Sequence, residues 1–173
     1  MLINEFVDTD FANKEDCMDY EFKKISLDEF ELIYNKDGEE KKIPFKRTVG
    51  IAEMLEGITA EAKFKLVDFL TKKGKTKDDL VIKKDLGNGK IIYDETNYLQ
   101  LENQFIQEEQ ILTINKIIEK SFNMNIIKLF EELGIDATST DPVLGKKMAL
   151  FGQKLITILT QPDDDTPSSE NNK

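Results

Sequence analysis

Residues 96–133 read TNYLQLENQFIQEEQILTINKIIEKSFNMNIIKLFEEL. The stretch contains neither glycine nor proline, the two residues that most disfavour helix, and it is rich in Leu, Ile, Glu, Gln and Lys. It predicts a long helix that dominates the fold. Its apolar residues form two stripes: Tyr98, Leu101, Phe105 and Leu112 in one, Ile111, Ile114 and Ile118 in the other. Ser121-Phe122-Asn123-Met124-Asn125 is poor in helix formers, which predicts a break or kink there, and Gly134 ends the stretch.

Downstream, Asp141 suits an N-cap with Pro142 at the first helical position, where a missing N–H costs little. Leu144, Met148, Phe151, Leu155, Ile158 and Leu159 share one face of the helix that follows, whereas Leu150 and Ile156 lie off it. A helix apolar on more than one side either forms the centre of its fold or meets another subunit, so a homo-oligomer is one expectation. Residues 161–173 hold no apolar side chain except Pro162 and Pro167. They cannot bury enough surface to offset ordering entropy and are expected to form a disordered acidic tail.

Upstream the pattern changes to short strands. Residues 20–24 make one, and Phe30-Glu31-Leu32-Ile33-Tyr34 a second. The turn Asn35-Lys36-Asp37-Gly38 leads to a third, Lys42-Ile43-Pro44-Phe45-Lys46. Asp37-Gly38 suits a tight hairpin because Gly accepts positive φ. Pro44 donates no backbone hydrogen bond, so its strand should lie at an edge or be short. Thr48 is positioned to cap a helix reaching Glu56, and Thr59 to cap one over residues 60–73. There Ala62, Leu66, Phe69 and Leu70 recur at helical spacing and Gly74 fits the position just past the end. Residues 80–93 read as a second hairpin turning at Asn88-Gly89. A helix over 77–85, opened by a capping box at Thr76-Lys77-Asp78-Asp79, is its competitor. The fold class is therefore α+β with helix dominant. An acidic arm (1–19), one α+β domain (20–160) and the tail (161–173) complete the organisation.

The chain has 173 residues and a net charge of −10, with no His, no Trp and one Cys. The charge is uneven. Glu5, Asp8, Asp10, Glu15, Asp16 and Asp19 face only Lys14 in the first twenty residues, and Asp163, Asp164, Asp165 and Glu170 face only Lys173 in the tail. The body is nearly neutral. Without a net basic face it is not expected to bind a phosphate backbone directly. No apolar run reaches the length a membrane helix needs, and Met1-Leu2-Ile3-Asn4-Glu5-Phe6 lacks the basic start of a signal peptide, so a cytoplasmic protein is expected.

The absence of histidine removes Ser-His-Asp and Cys-His catalysis and imidazole metal sites, and a single cysteine removes an internal disulfide. Cys17 lies among Glu15, Asp16 and Asp19, which disfavour its thiolate. Gly87-Asn88-Gly89-Lys90 lacks the spacing and the hydroxyl residue of a phosphate loop. Asp8-Thr9-Asp10-Phe11-Ala12-Asn13 starts like a calcium loop but puts Ala12 at a ligand position and Asn13 where glycine is required. Glu108-Glu109 and Glu131-Glu132 are adjacent and diverge on a helix. Lys72, Lys73, Lys75 and Lys77 read as a solvated helix end. No enzyme activity, cofactor or metal is expected. The candidate partner-binding residues are Phe6 and Phe11 in the arm, as aromatic anchors, and Leu144, Met148, Phe151, Leu155 and Ile158 on the last helix.

The order of elements, with strands over 20–46, a helical body over 48–160 and a polar acidic tail over 161–173, resembles the tail assembly chaperones of long-tailed bacteriophages. Its Lys-, Ile- and Asn-rich usage is similar to that of proteins from low-GC hosts. The hairpin at 80–93 departs from the helical part of that family. The resemblance implies a protein of the host cytoplasm that binds tape-measure and tail-tube subunits and keeps their aggregation-prone helices soluble. The alternative expectation is an anti-defence inhibitor whose acidic segments block a basic nucleic-acid-binding site.

Overall fold

The computed structural model describes residues 20–161, of which 55% are helix and 20% strand. The elements run β1 (Tyr20–Lys24), β2 (Glu29–Lys36), β3 (Glu39–Lys46), α1 (Ile51–Glu56), α2 (Ile58–Lys72), a 3-10 turn (Lys77–Leu80), β4 (Ile82–Asp85), β5 (Ile91–Asp94), α3 (Thr96–Phe122), α4 (Ile126–Glu132) and α5 (Pro142–Thr160). The expected α+β class with helix dominant is what the chain adopts. Contacts divide it into two compact units. One takes the described residues up to Val49 and from Asn115 onward, the other Gly50–Ile114.

In the first unit β1, β2 and β3 form an antiparallel meander in that order. The turn is local chemistry. Asp37 at φ 55° and Gly38 at φ 80° both occupy the left-handed region that a two-residue hairpin loop requires. Register places Phe22 opposite Leu32, Leu32 opposite Ile43 and Phe30 opposite Phe45, so the apolar alternation falls on one face. Pro44 sits in β3, an edge strand, as its missing N–H demands. Helices cover that face with aromatic rings. Phe45 stacks on Phe122 at 4.5 Å, and Phe151 lies 5.2 Å from each of Tyr20, Phe22 and Phe130. Leu32, Ile117, Leu129 and Leu155 complete the core.

The expected break after residue 121 is a turn at Asn123, which has φ 48°. Asn125 then caps α4 by accepting from the Ile127 N–H at 2.9 Å. Asp141 caps α5 through the Val143 N–H at 3.0 Å, with Pro142 behind it as expected.

In the second unit α2 and the first part of α3 run antiparallel. Residue numbers that rise on one meet numbers that fall on the other: Lys65 with Glu109 and Phe69 with Phe105 at 5.4 Å, and just past the helix ends Lys77 pairs with Glu95 at 3.3 Å. Ala62, Leu66 and Leu70 are buried as their spacing predicts.

Two expected caps are absent. Gly57 adopts right-handed helical angles, and bonds from Gly57 to Glu53 and from Glu61 to Gly57 carry the helical ladder past it, so α2 begins before Thr59. Gly50 precedes α1, and Thr48 instead pairs its hydroxyl with Ser121 at 2.5 Å. Buried Ser121 needs that partner. The competition over 77–85 resolves into both parts. A 3-10 turn forms where the Thr76 N–H donates to Asp79 at 2.7 Å, and the hairpin then opens at Ile82. Its loop is longer than the two residues expected. It spans residues 86–90, and Gly87, Asn88 and Gly89 all have positive φ.

Candidate functional site

The carboxylate pairs separate as helix geometry requires. Glu109 is buried on the face of α3 toward α2, where its carboxylate accepts from the Lys65 ammonium, while Glu108 is exposed and accepts from Gln104. The hydrogen bond to Glu109, and beyond it the negative charge of Glu61, raise the Lys65 ammonium above its ordinary value. Glu132 accepts from the Tyr34 hydroxyl at 3.0 Å and pairs with Lys36 at 3.1 Å. Lys36 first, then Tyr34, hold the Glu132 carboxyl below its usual range. Burial, then the same carboxylate, pushes the Tyr34 hydroxyl up. Asp94 sits where β5 turns into α3, bonded to the Thr96 hydroxyl and to Lys84 at 2.9 Å, and these donors hold it well below the ordinary carboxylate range. Glu109, Glu132 and Asp94 each therefore clasp one element to another. Among the described residues no three metal-ligating side chains come together.

The lysines around Gly74 are a helix end, and structure adds a detail hidden in the chain order. Lys73 lies over the Phe69 ring at 4.2 Å and Lys77 over Tyr98 at 4.8 Å, so two of the four rest on aromatic faces.

Of the residues singled out for partner binding, Phe6 and Phe11 lie outside the described residues, as do Cys17, the calcium-like segment and the acidic tail. Phe151 and Leu155 are fully buried at 0% exposure and belong to the core of the first unit. Leu144, Met148 and Ile158 are half-buried beside them. Periodicity locates an apolar face but does not say what covers it, and here the sheet and neighbouring helices do.

More exposed apolar residues lie elsewhere. On α2, Phe64 is 70% and Val67 59% exposed. At about 100° per residue they fall on the side away from Leu66, in line with Ala60 and Thr71. Thus α2 is apolar on two faces, one packed and one open. The second feature is the β4–β5 hairpin, in which Ile82, Leu86, Ile91, Ile92 and Tyr93 are all exposed, Tyr93 at 66%. Alternation puts Ile91 and Tyr93 on one face and Ile92 on the other, so both faces carry apolar surface. An isolated two-stranded hairpin is marginal in water, and exposed apolar patches mark interaction surfaces. The signal was in the sequence: Phe64 and Val67 are apolar residues outside the stripe of Ala62 and Leu66.

Compared with known proteins, the chain matches no protein-family model, no curated protein and no solved structure. No helix among the described residues is long and apolar enough to cross a membrane.

Proposed function

We propose that this chain is a non-catalytic assembly protein that covers an apolar helix of a client, in the manner that its resemblance to phage tail assembly chaperones implies. The observation that carries the reading is the open stripe of Phe64 and Val67 on a helix already packed on its other side. Exposed apolar anchors at i and i+3 on a rigid helix fit the apolar face of an amphipathic partner helix. Helical geometry sets Lys63 along one flank of the stripe and Glu61 and Asp68 along the other, which favours a client helix with the opposite order of charge. The acidic ends, Glu5 to Asp19 and Asp163 to Glu170, supply the repulsion that keeps such complexes apart in the host cytoplasm.

The test is co-expression of the full chain with a tape-measure or tail-tube subunit and recovery of the pair. The double variant Phe64→Glu with Val67→Glu should fold as the parent does and lose the client. Undiminished recovery with the double variant, or no recovery with the parent, refutes the reading. Binding that instead collapses with added salt and on removal of residues 1–20 would identify the inhibitor role.

A further inference from the structure

We infer that β5 is a self-association edge: two copies pair their Ile91–Asp94 strands antiparallel about a two-fold axis at Ile92, joining two hairpins into one four-stranded sheet. This goes beyond the client-binding reading and does not depend on it.

The phase of the free edge follows from one hydrogen bond. The Leu86 N–H donates to the Lys90 carbonyl at 2.9 Å, so these two residues face each other across the hairpin. Antiparallel pairs alternate between bonded and non-bonded. With the observed register, Lys84 and Ile92, then Ile82 and Asp94, face inward, and the backbone groups of Ile91 and Tyr93 point out of the hairpin. Among the described residues these outward groups take no loop or cap hydrogen bond.

The side chains choose between the two edges. On β4 a symmetric pairing in the allowed phase, centred at Lys84, sets Lys84 against Lys84 of the second copy, and lysines on an edge strand block pairing. On β5 the pairing centred at Ile92 sets Ile92 against Ile92, Ile91 against Tyr93 and Lys90 against Asp94, each of the last two occurring twice by symmetry. Apolar residues meet apolar residues and the flanking charges are opposite. Shifting the axis to Ile91 places Ile92 against Lys90, and shifting it to Tyr93 places Ile92 against Asp94, so only the Ile92 axis satisfies both charge and apolar matching. The pairing also gives the exposed apolar side chains of β5 apolar neighbours on the side that a two-stranded sheet leaves open.

Two measurements on the full chain test this. Sedimentation equilibrium of the parent should show a dimer. Ile92→Lys, at a position 45% exposed and so outside the core, should give a monomer. Lys90→Glu should weaken the dimer about tenfold or more by opposing Asp94. Cross-linking reads the register. Non-bonded antiparallel partners have Cα atoms about 4.5 Å apart, within disulfide range. In a Cys17→Ser background, Ile92→Cys should therefore form a covalent dimer under mild oxidation. Ile91→Cys and Tyr93→Cys, whose own copies are offset by two residues, should not. A parent that stays monomeric overturns the inference. So does a dimer that survives Ile92→Lys, or one in which Ile92→Cys fails to cross-link.

Discussion

Replacing Phe151 with alanine tests the central packing of the first unit. Its ring is fully buried and has four aromatic neighbours, at 5.2 Å from Tyr20, Phe22 and Phe130 and 6.2 Å from Phe122. Truncating a buried phenylalanine costs about 3–5 kcal/mol through lost burial and the cavity left behind. Each well-oriented ring pair contributes about 0.5–1.5 kcal/mol beyond area, which puts Phe151→Ala in the upper part of that range, near 4–5 kcal/mol. Against a total stability of about 5–15 kcal/mol the loss is about a quarter or more. At about 2–4 °C per kcal/mol for a chain of this size, the midpoint should fall by roughly 8–20 °C. The assay is thermal and urea denaturation followed by far-ultraviolet circular dichroism, with amide exchange at Leu32 reporting the sheet that Phe151 covers. Phe64→Ala is the control, since an exposed ring should change stability by less than about 0.5 kcal/mol. The two positions act by different routes: Phe151 through folding, Phe64 through contact with the proposed client. A loss below about 1 kcal/mol at Phe151, or equal losses at both sites, would falsify this account of the core.

Asn125→Ala should destabilise by about 1 kcal/mol, because it deprives the Ile127 N–H of its cap at the start of α4; an unchanged urea midpoint argues against the cap. Acid should destabilise the chain through Asp94, Glu132 and Asp136, whose carboxyls are depressed by their hydroxyl and lysine donors. A depressed group contributes its full stability above its unfolded value, near 4, and loses it as pH falls through the lower folded value. The melting temperature should therefore drop between pH 4 and pH 2 and stay nearly level from about pH 6 to 8, where no histidine titrates; a level profile down to pH 2 refutes it. Raising pH through the elevated value of the Lys65 ammonium should release Glu109, and Lys65→Met should remove that alkaline step from the stability profile.

Much of the architecture is local chemistry and was readable along the chain. Asp37-Gly38 specifies its hairpin because two consecutive residues must take left-handed angles. Asp141-Pro142 starts α5, and the poor helix formers around Asn123 and Asn125 interrupt the long helix. These choices rest on the backbone preferences of a few adjacent residues, so no distant partner is needed to make them.

Tertiary structure decided what each face meets. Of the two stripes on residues 96–118, Tyr98, Leu101 and Phe105 are half-buried in the second unit and Ile118 is buried in the first, whereas Leu112 and Ile111 stay 47% and 60% exposed. Glu109 and Thr113 occupy buried positions that no hydropathy pattern would assign to acids and hydroxyls; Lys65, far away in sequence, makes the first tolerable. Thr48 looked like a cap and became the partner of Ser121. Phe151 and Leu155 had the spacing of a docking face and were taken into the core, whereas Phe64 and Val67 were left open. Periodicity fixes which side chains share a side, since that depends only on the helix repeat. Whether that side meets a neighbouring element or solvent depends on residues brought together by long-range packing, and this is where the sequence by itself stops.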